Sequence, residues 1–93
     1  MNKEQAKTVI EKLDNEFDSH QFIEKFIVMY EKEYVELLYK DIESKGIFRM
    51  AHAKIGKFLA NNSLYLSIEK VDKGYSENIK KYDSENQNWR KIL

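Results

Sequence analysis

Basic and aromatic residues are interleaved in the C-terminal half of the chain, and they are the residues best suited to chemistry with a ligand. Lysine and arginine neutralise phosphates, and aromatic rings stack on unpaired bases, so this mixture is typical of proteins that bind single-stranded nucleic acid. The candidate contacts are Arg49, Lys54, Lys57, Lys80, Lys81, Tyr82, Trp89 and Arg90. The net charge of zero favours the alternative of a solvated basic face with inward-packed rings, because nucleic-acid-binding domains are usually markedly basic.

The zero net charge hides a division between the two halves of the sequence. Residues 1–45 hold seven lysines against eleven acidic residues, a net charge of −4. Residues 46–93 hold nine basic residues against five acidic ones, a net charge of +4. Such an asymmetry indicates that the two halves could face different partners, or pair with each other between two copies of the chain.

Catalytic and metal-binding patterns are absent from the sequence. There is no cysteine, phosphate-binding loop, dinucleotide fingerprint or nucleophile elbow. His20 lies near Asp14, Asp18 and Glu24, but a metal centre needs three or four converging ligands, and these acids suit the start of a helix. His52 is interpreted as a partly buried structural residue. We therefore expect no enzymatic activity, no bound metal and no cofactor.

The helix predicted for residues 20–44 carries more apolar residues than one core-facing stripe needs. The surplus residues are Val28, Met29, Val35 and Tyr39. Exposed apolar patches mark interaction sites, so these four residues are a candidate interface. The alternative is that a C-terminal helix covers them through Trp89, Ile92 and Leu93.

A strip of small residues follows in the next predicted helix. Ala53, Gly56 and Ala60 share one side of it, and the absence of bulk permits another helix to approach closely. The strip is a second candidate interface, for a partner or for a second copy. The favoured alternative is that the strip packs against another helix of the same chain.

These residues are positioned by elements that the periodicity of the sequence predicts. Apolar spacing indicates helices at about 3–16, 20–44, 47–61 and 85–92. Asp18 and Gln21 have the spacing of a capping box at the start of the second helix. Apolar and polar residues alternate after Leu64, and a turn signal at Asp72-Lys73-Gly74 allows a short β-hairpin or an irregular segment around 64–76.

Together these elements predict a single all-α domain over residues 1–93. It is a small bundle of three main helices with a short C-terminal helix. The N-terminus is polar and no apolar run is long enough to span a bilayer, so we expect a cytoplasmic protein without a membrane partner. The predicted function is a non-enzymatic interaction or regulatory protein acting through a protein partner or as a homodimer. The alternative is a nucleic-acid-binding module that uses the basic C-terminal half.

Overall fold

The fold combines helices with an antiparallel sheet. A computed structural model of the chain describes residues 1–77 and 83–92, with the backbone alone at residues 75–77 and 83–85. Three strands form one sheet in the order β1-β3-β2. In chain order the elements are α1 (Lys3–Glu11), β1 (Glu16–Asp18), α2 (Ser19–Met29), α3 (Glu31–Tyr39), α4 (Ile47–Asn61), α5 (Ser63–Leu66), β2 (Ile68–Glu77) and β3 (Asp83–Lys91).

The all-α prediction is wrong because the segment predicted as a C-terminal helix, 85–92, is the central strand of the sheet. β3 pairs with β1 on one side and with β2 on the other. Its sequence is polar and poor in residues that favour strands, so its conformation follows from two ladders of backbone hydrogen bonds rather than from local propensity. Ser84, which directly precedes the segment predicted as a helix, pairs with Ser76 in the ladder.

The hairpin predicted within residues 64–76 is wrong, because these residues form α5 and a single strand, β2, whose partner is β3. β2 continues through the predicted turn at Asp72-Lys73-Gly74 and does not end there. Lys70 pairs with Trp89 and Lys73 with Gln87, so two residues of β2 lie opposite Asn88. Val71 and Asp72 therefore form a β-bulge, which bends the strand without ending it, and Lys73 and Gly74 pair in the ladder beyond it.

The first helix is shorter than predicted because the following residues join the sheet. α1 begins with a capping box between Asn2 and Gln5 and ends at Glu11, not at residue 16. The Lys91 N–H donates to the Asn15 carbonyl over 2.8 Å. Phe17, which fitted the helical stripe, lies in β1 opposite Trp89 and is buried.

The predicted capping box at the start of α2 is confirmed. The Asp18 carboxylate accepts from the Gln21 N–H over 2.8 Å, and the Gln21 side chain accepts from the Asp18 N–H over 2.8 Å. These two bonds satisfy backbone donors that a helix start otherwise leaves unpaired. Phe17 and Phe22 flank the cap and are both buried, as a hydrophobic staple requires.

The second predicted helix, 20–44, is two helices. Tyr30 has φ −134° and ψ 55°, outside the helical region, and separates α2 from α3. α3 ends at Tyr39, and turns follow to Lys45. At the break the rings of Phe26, Tyr30 and Tyr34 cluster, with centroids 5.8 and 6.4 Å from that of Phe26. The break lets the two helices lie at different angles on one core.

The third predicted helix, 47–61, matches α4 at both ends. The core lies between the helices and the inner face of the sheet. Its largest fully buried side chains are Trp89, Phe22, Phe26, Ile55 and Leu59. Because Trp89 comes from β3 and the others come from α2 and α4, the sheet and the helices share one core.

Candidate protein-interaction surface

Large apolar side chains on the outer side of α3 are exposed to solvent. Val35 is 54% exposed and Tyr39 is 71% exposed. The two residues are four apart in a helix and are therefore neighbours on its surface. Ile42, in the turns after α3, is also more than half exposed. The side of α3 that carries these residues is a candidate binding surface, because contiguous exposed apolar groups mark interaction sites.

Charged residues of both signs surround this apolar line. All are exposed, and they are Glu31, Lys32, Glu36, Lys40 and Glu43. We define the α3 face as these five residues together with Val35, Tyr39 and Ile42. An apolar centre with a charged rim is the composition of a specific protein interface.

The inner side of α3 is anchored to the core. Tyr34 is buried, its ring packs edge-on against Phe26, and its hydroxyl is 2.8 Å from Nε2 of His52 in α4. Burial raises the pKa of Tyr34 to about 12, so the phenol stays protonated. Tyr39 lies about 140° around the helix from Tyr34. A helix held on this side presents its other side in a fixed orientation.

A second link joins the end of α3 to α4. Lys54 Nζ lies 2.6 Å from a carboxylate oxygen of Asp41. Asp41 directly precedes Ile42, which lies one turn beyond Tyr39, its N–H donating to the Tyr39 carbonyl over 3.1 Å. Ile42 is exposed, as Tyr39 is. The end of α3 at Tyr39 was not predicted, since no glycine or proline stands near residue 40.

The other surplus residues of the predicted second helix have different environments. Val28, near the end of α2, is 79% exposed. Met29 is only partly exposed and packs against the core. Trp89 does not cover these residues, because its ring is buried behind the sheet and its Nε1 donates to the Ser19 hydroxyl over 3.2 Å. Ile92 is itself about half exposed, and Leu93 lies outside the described residues.

The small-residue strip of α4 is open at its centre. A Cβ built on Gly56 meets no described atom within 4 Å beyond its chain neighbours and the backbone of its own helix. Ala53 is exposed, whereas Ala60 packs against the core. Gly56 is therefore not required by a close contact with another described helix.

Three of the candidate nucleic-acid contacts are already engaged within the chain. Trp89 is only 1% exposed and cannot stack on a base. Arg90 donates from Nε and from a terminal nitrogen to one oxygen of Glu69, over 2.9 and 2.7 Å, and this hydrogen bond raises the pKa of Arg90. Lys54 pairs with Asp41.

The remaining candidates fall into two groups. Arg49 and Lys57 are exposed on α4, a helix that contains no acidic residue. Lys80, Lys81 and Tyr82 lie outside the described residues. The basic candidates that the structure describes are therefore divided between α4 and β3. The tryptophan that was predicted to bind bases beside them is buried.

A shallow cleft lies beside β1, with a volume of about 380 Å³. Its polar lining is mostly acidic or amide, and includes Glu16, Asp72 and Asn88. Asp18 and Gln21 also line it, but both are used in the cap of α2. Among the side chains that the structure describes, no three from histidine, aspartate or glutamate are grouped so that they could hold a metal ion.

Comparison of the chain with protein-family models, with curated proteins and with solved structures finds no match. Among the helices described here, none has the length and apolar character needed to cross a membrane.

Proposed function

We propose that this protein is a non-enzymatic interaction protein that binds a protein partner through the α3 face. The exposure of Val35 and Tyr39, on a helix whose other side is anchored by Tyr34, carries the proposal. Burying these two side chains against a partner would gain free energy in proportion to the apolar area removed from water. Tyrosine is also among the residues that most often dominate binding energy at protein interfaces.

A non-enzymatic role is supported by the chemistry of the α3 face. Its side chains are aliphatic, phenolic, carboxylate and ammonium groups, and Tyr39 and the carboxylates stand in open solvent. A catalytic acid or base needs a pocket that shifts its pKa. The phenol whose pKa is raised by burial, that of Tyr34, lies on the buried side of the helix and not on the α3 face.

Site-specific photo-crosslinking in the cell that produces the protein tests this proposal. A photoreactive phenylalanine analogue in place of Tyr39 should give covalent adducts with protein. The same analogue in place of Lys7, an exposed residue of α1, is the matched control and should give none. Adding Val35→Glu should remove the adducts formed at position 39 without changing the melting temperature. Equal labelling at both positions, or none at position 39, would contradict the proposal.

A further inference from the structure

We infer that the partner of the α3 face is a second copy of this chain, and that two α3 helices pair antiparallel across a two-fold axis. The inference rests on the proposed function, since it names the occupant of the same surface. It is carried by the charges of Lys32, Glu36, Lys40 and Glu43 on the α3 face, which are complementary to themselves when the face is reversed. A partner of unrelated sequence would not require that property.

Four charged residues of the α3 face form two pairs of opposite sign, and each pair has one member on either side of a point between Leu37 and Leu38. Lys32 lies five and a half residues before this point and Glu43 five and a half residues after it. Glu36 lies one and a half residues before it and Lys40 two and a half residues after it, so this second pair is offset by one residue, about 1.5 Å along the helix. In an antiparallel pair centred there, Lys32 of one copy faces Glu43 of the other, and Glu36 faces Lys40. The two-fold axis repeats each pair, so the arrangement has four attractive contacts and places no like charges opposite each other among these residues.

The paired charges also lie on the same flank of the helix. At about 100° per residue, Lys32, Glu36 and Lys40 all lie on one side of the line from Val35 to Tyr39. The Ile42 N–H donates to the Tyr39 carbonyl over 3.1 Å, so the first turn after α3 continues the spiral, and the proposed pairing places Glu43 on the same side. In an antiparallel helix pair, residues of one flank face the same flank of the partner, as this pairing requires.

The apolar residues fill the centre of the same arrangement. Val35 lies two and a half residues before the two-fold point and Tyr39 one and a half residues after it, so Val35 of each copy lies within about one residue of the level of Tyr39 of the other and can contact it. Their exposure in the single chain would end on pairing. An interface one helix wide is at the small end of specific interfaces, so the dimer is expected to be weak and to dissociate on dilution.

Sedimentation equilibrium over a wide concentration range tests the pairing with three charge variants. The parent chain, of 11.2 kDa, should approach twice its mass at high concentration. Lys32→Glu and Glu43→Lys alone each place like charges opposite each other at two symmetry-related sites and should raise the dissociation constant about tenfold. The double variant Lys32→Glu/Glu43→Lys restores opposite charges and should return the dissociation constant to near the parent value.

The control is Lys7→Glu, which makes the same charge change on α1 and should leave dimerisation unaltered. Recovery in the double variant is specific to pairing between two copies, because a different partner would meet two altered charges. A parent chain that stays monomeric, while position 39 still crosslinks to another protein, would overturn the dimer and leave the proposed function standing. Dimerisation that ignores the charge variants and also survives Val35→Glu would overturn the dimer through this face, and the absence of any crosslink at position 39 would overturn the proposed function as well. Loss without recovery in the double variant would overturn the antiparallel pairing.

Discussion

The hydroxyl of Tyr34 and Nε2 of His52 are 2.8 Å apart, and this hydrogen bond joins α3 to α4. Phe26 and Phe48 pack their rings against the same pair from either end. The bond fixes which side of α3 faces the core. The exposure of Val35 and Tyr39 is therefore a consequence of how Tyr34 is held.

Removing this hydroxyl should weaken the attachment of α3. Tyr34→Phe keeps the ring and its contact with Phe26 but loses the hydrogen bond to His52, so we expect a loss of about 0.5–1.5 kcal/mol in the free energy of unfolding. Urea titration followed by Trp89 fluorescence measures it. Tyr39→Phe removes the same atom from an exposed ring and should leave the midpoint unchanged. An unaltered midpoint in Tyr34→Phe would show that the bond does not contribute to stability.

Tyr34 also makes the stability of the folded protein depend on pH in the alkaline range. Burial raises the pKa of its phenol from 10.0 to about 12 in the folded state, because the charged phenolate is poorly solvated there. The stabilising contribution of the neutral phenol is complete below pH 10 and is lost as the pH rises towards 12. Between pH 10 and pH 12 the free energy of unfolding of the parent chain should therefore fall by on the order of 2 kcal/mol more than that of Tyr34→Phe, whose side chain cannot ionise. Parallel urea titrations at the two ends of the range measure the difference, and equal losses would contradict it.

The open space at Gly56 makes it a site for stabilisation. Glycine within a helix costs up to about 1 kcal/mol relative to alanine, and a Cβ at this position has no described neighbour to displace. Gly56→Ala should raise the free energy of unfolding by about 0.5–1 kcal/mol, measured by urea titration. Gly74→Ala is the comparison, because a Cβ there would lie 3.1 Å from Nδ2 of Asn88, and we expect no gain. A loss of stability in Gly56→Ala would mean that α4 packs more closely at this point.

Local signals in the sequence predicted the parts of the fold that depend on local structure. α4 has a clear apolar period between Gly46 and Asn62, and its bounds were predicted at both ends. The capping box of Asp18 and Gln21 was likewise readable, because it involves residues three apart. The break at Tyr30 was not, since neither glycine nor proline marks it and the apolar period continues across it.

The sheet could not be predicted because its pairing is not local. Phe17 fits a helical stripe as well as it fits β1, and only its pairing with Trp89, far along the chain, decides between them. Trp89 and Ile92 are spaced as on a helix, whereas the surrounding residues of β3 are too polar to show strand alternation. Predicting residues 85–92 as a helix also misplaced Trp89 in the candidate sites, because on such a helix its ring could have covered α2 or contacted a ligand.

The burial of Trp89 leads to a prediction about nucleic acid. Its ring lies in the core and its Nε1 donates to Ser19, so a single-stranded oligonucleotide should leave its emission unchanged even at low salt. Unfolding in urea should shift that emission, which shows that the probe responds.

Arg49 and Lys57 remain exposed on α4, so the anisotropy of a labelled oligonucleotide must be followed as well. We expect no saturable rise at physiological salt, because so few phosphate contacts give weak binding that salt suppresses. A saturable rise that Arg49→Glu/Lys57→Glu abolishes would assign nucleic-acid binding to α4 and restore the alternative function.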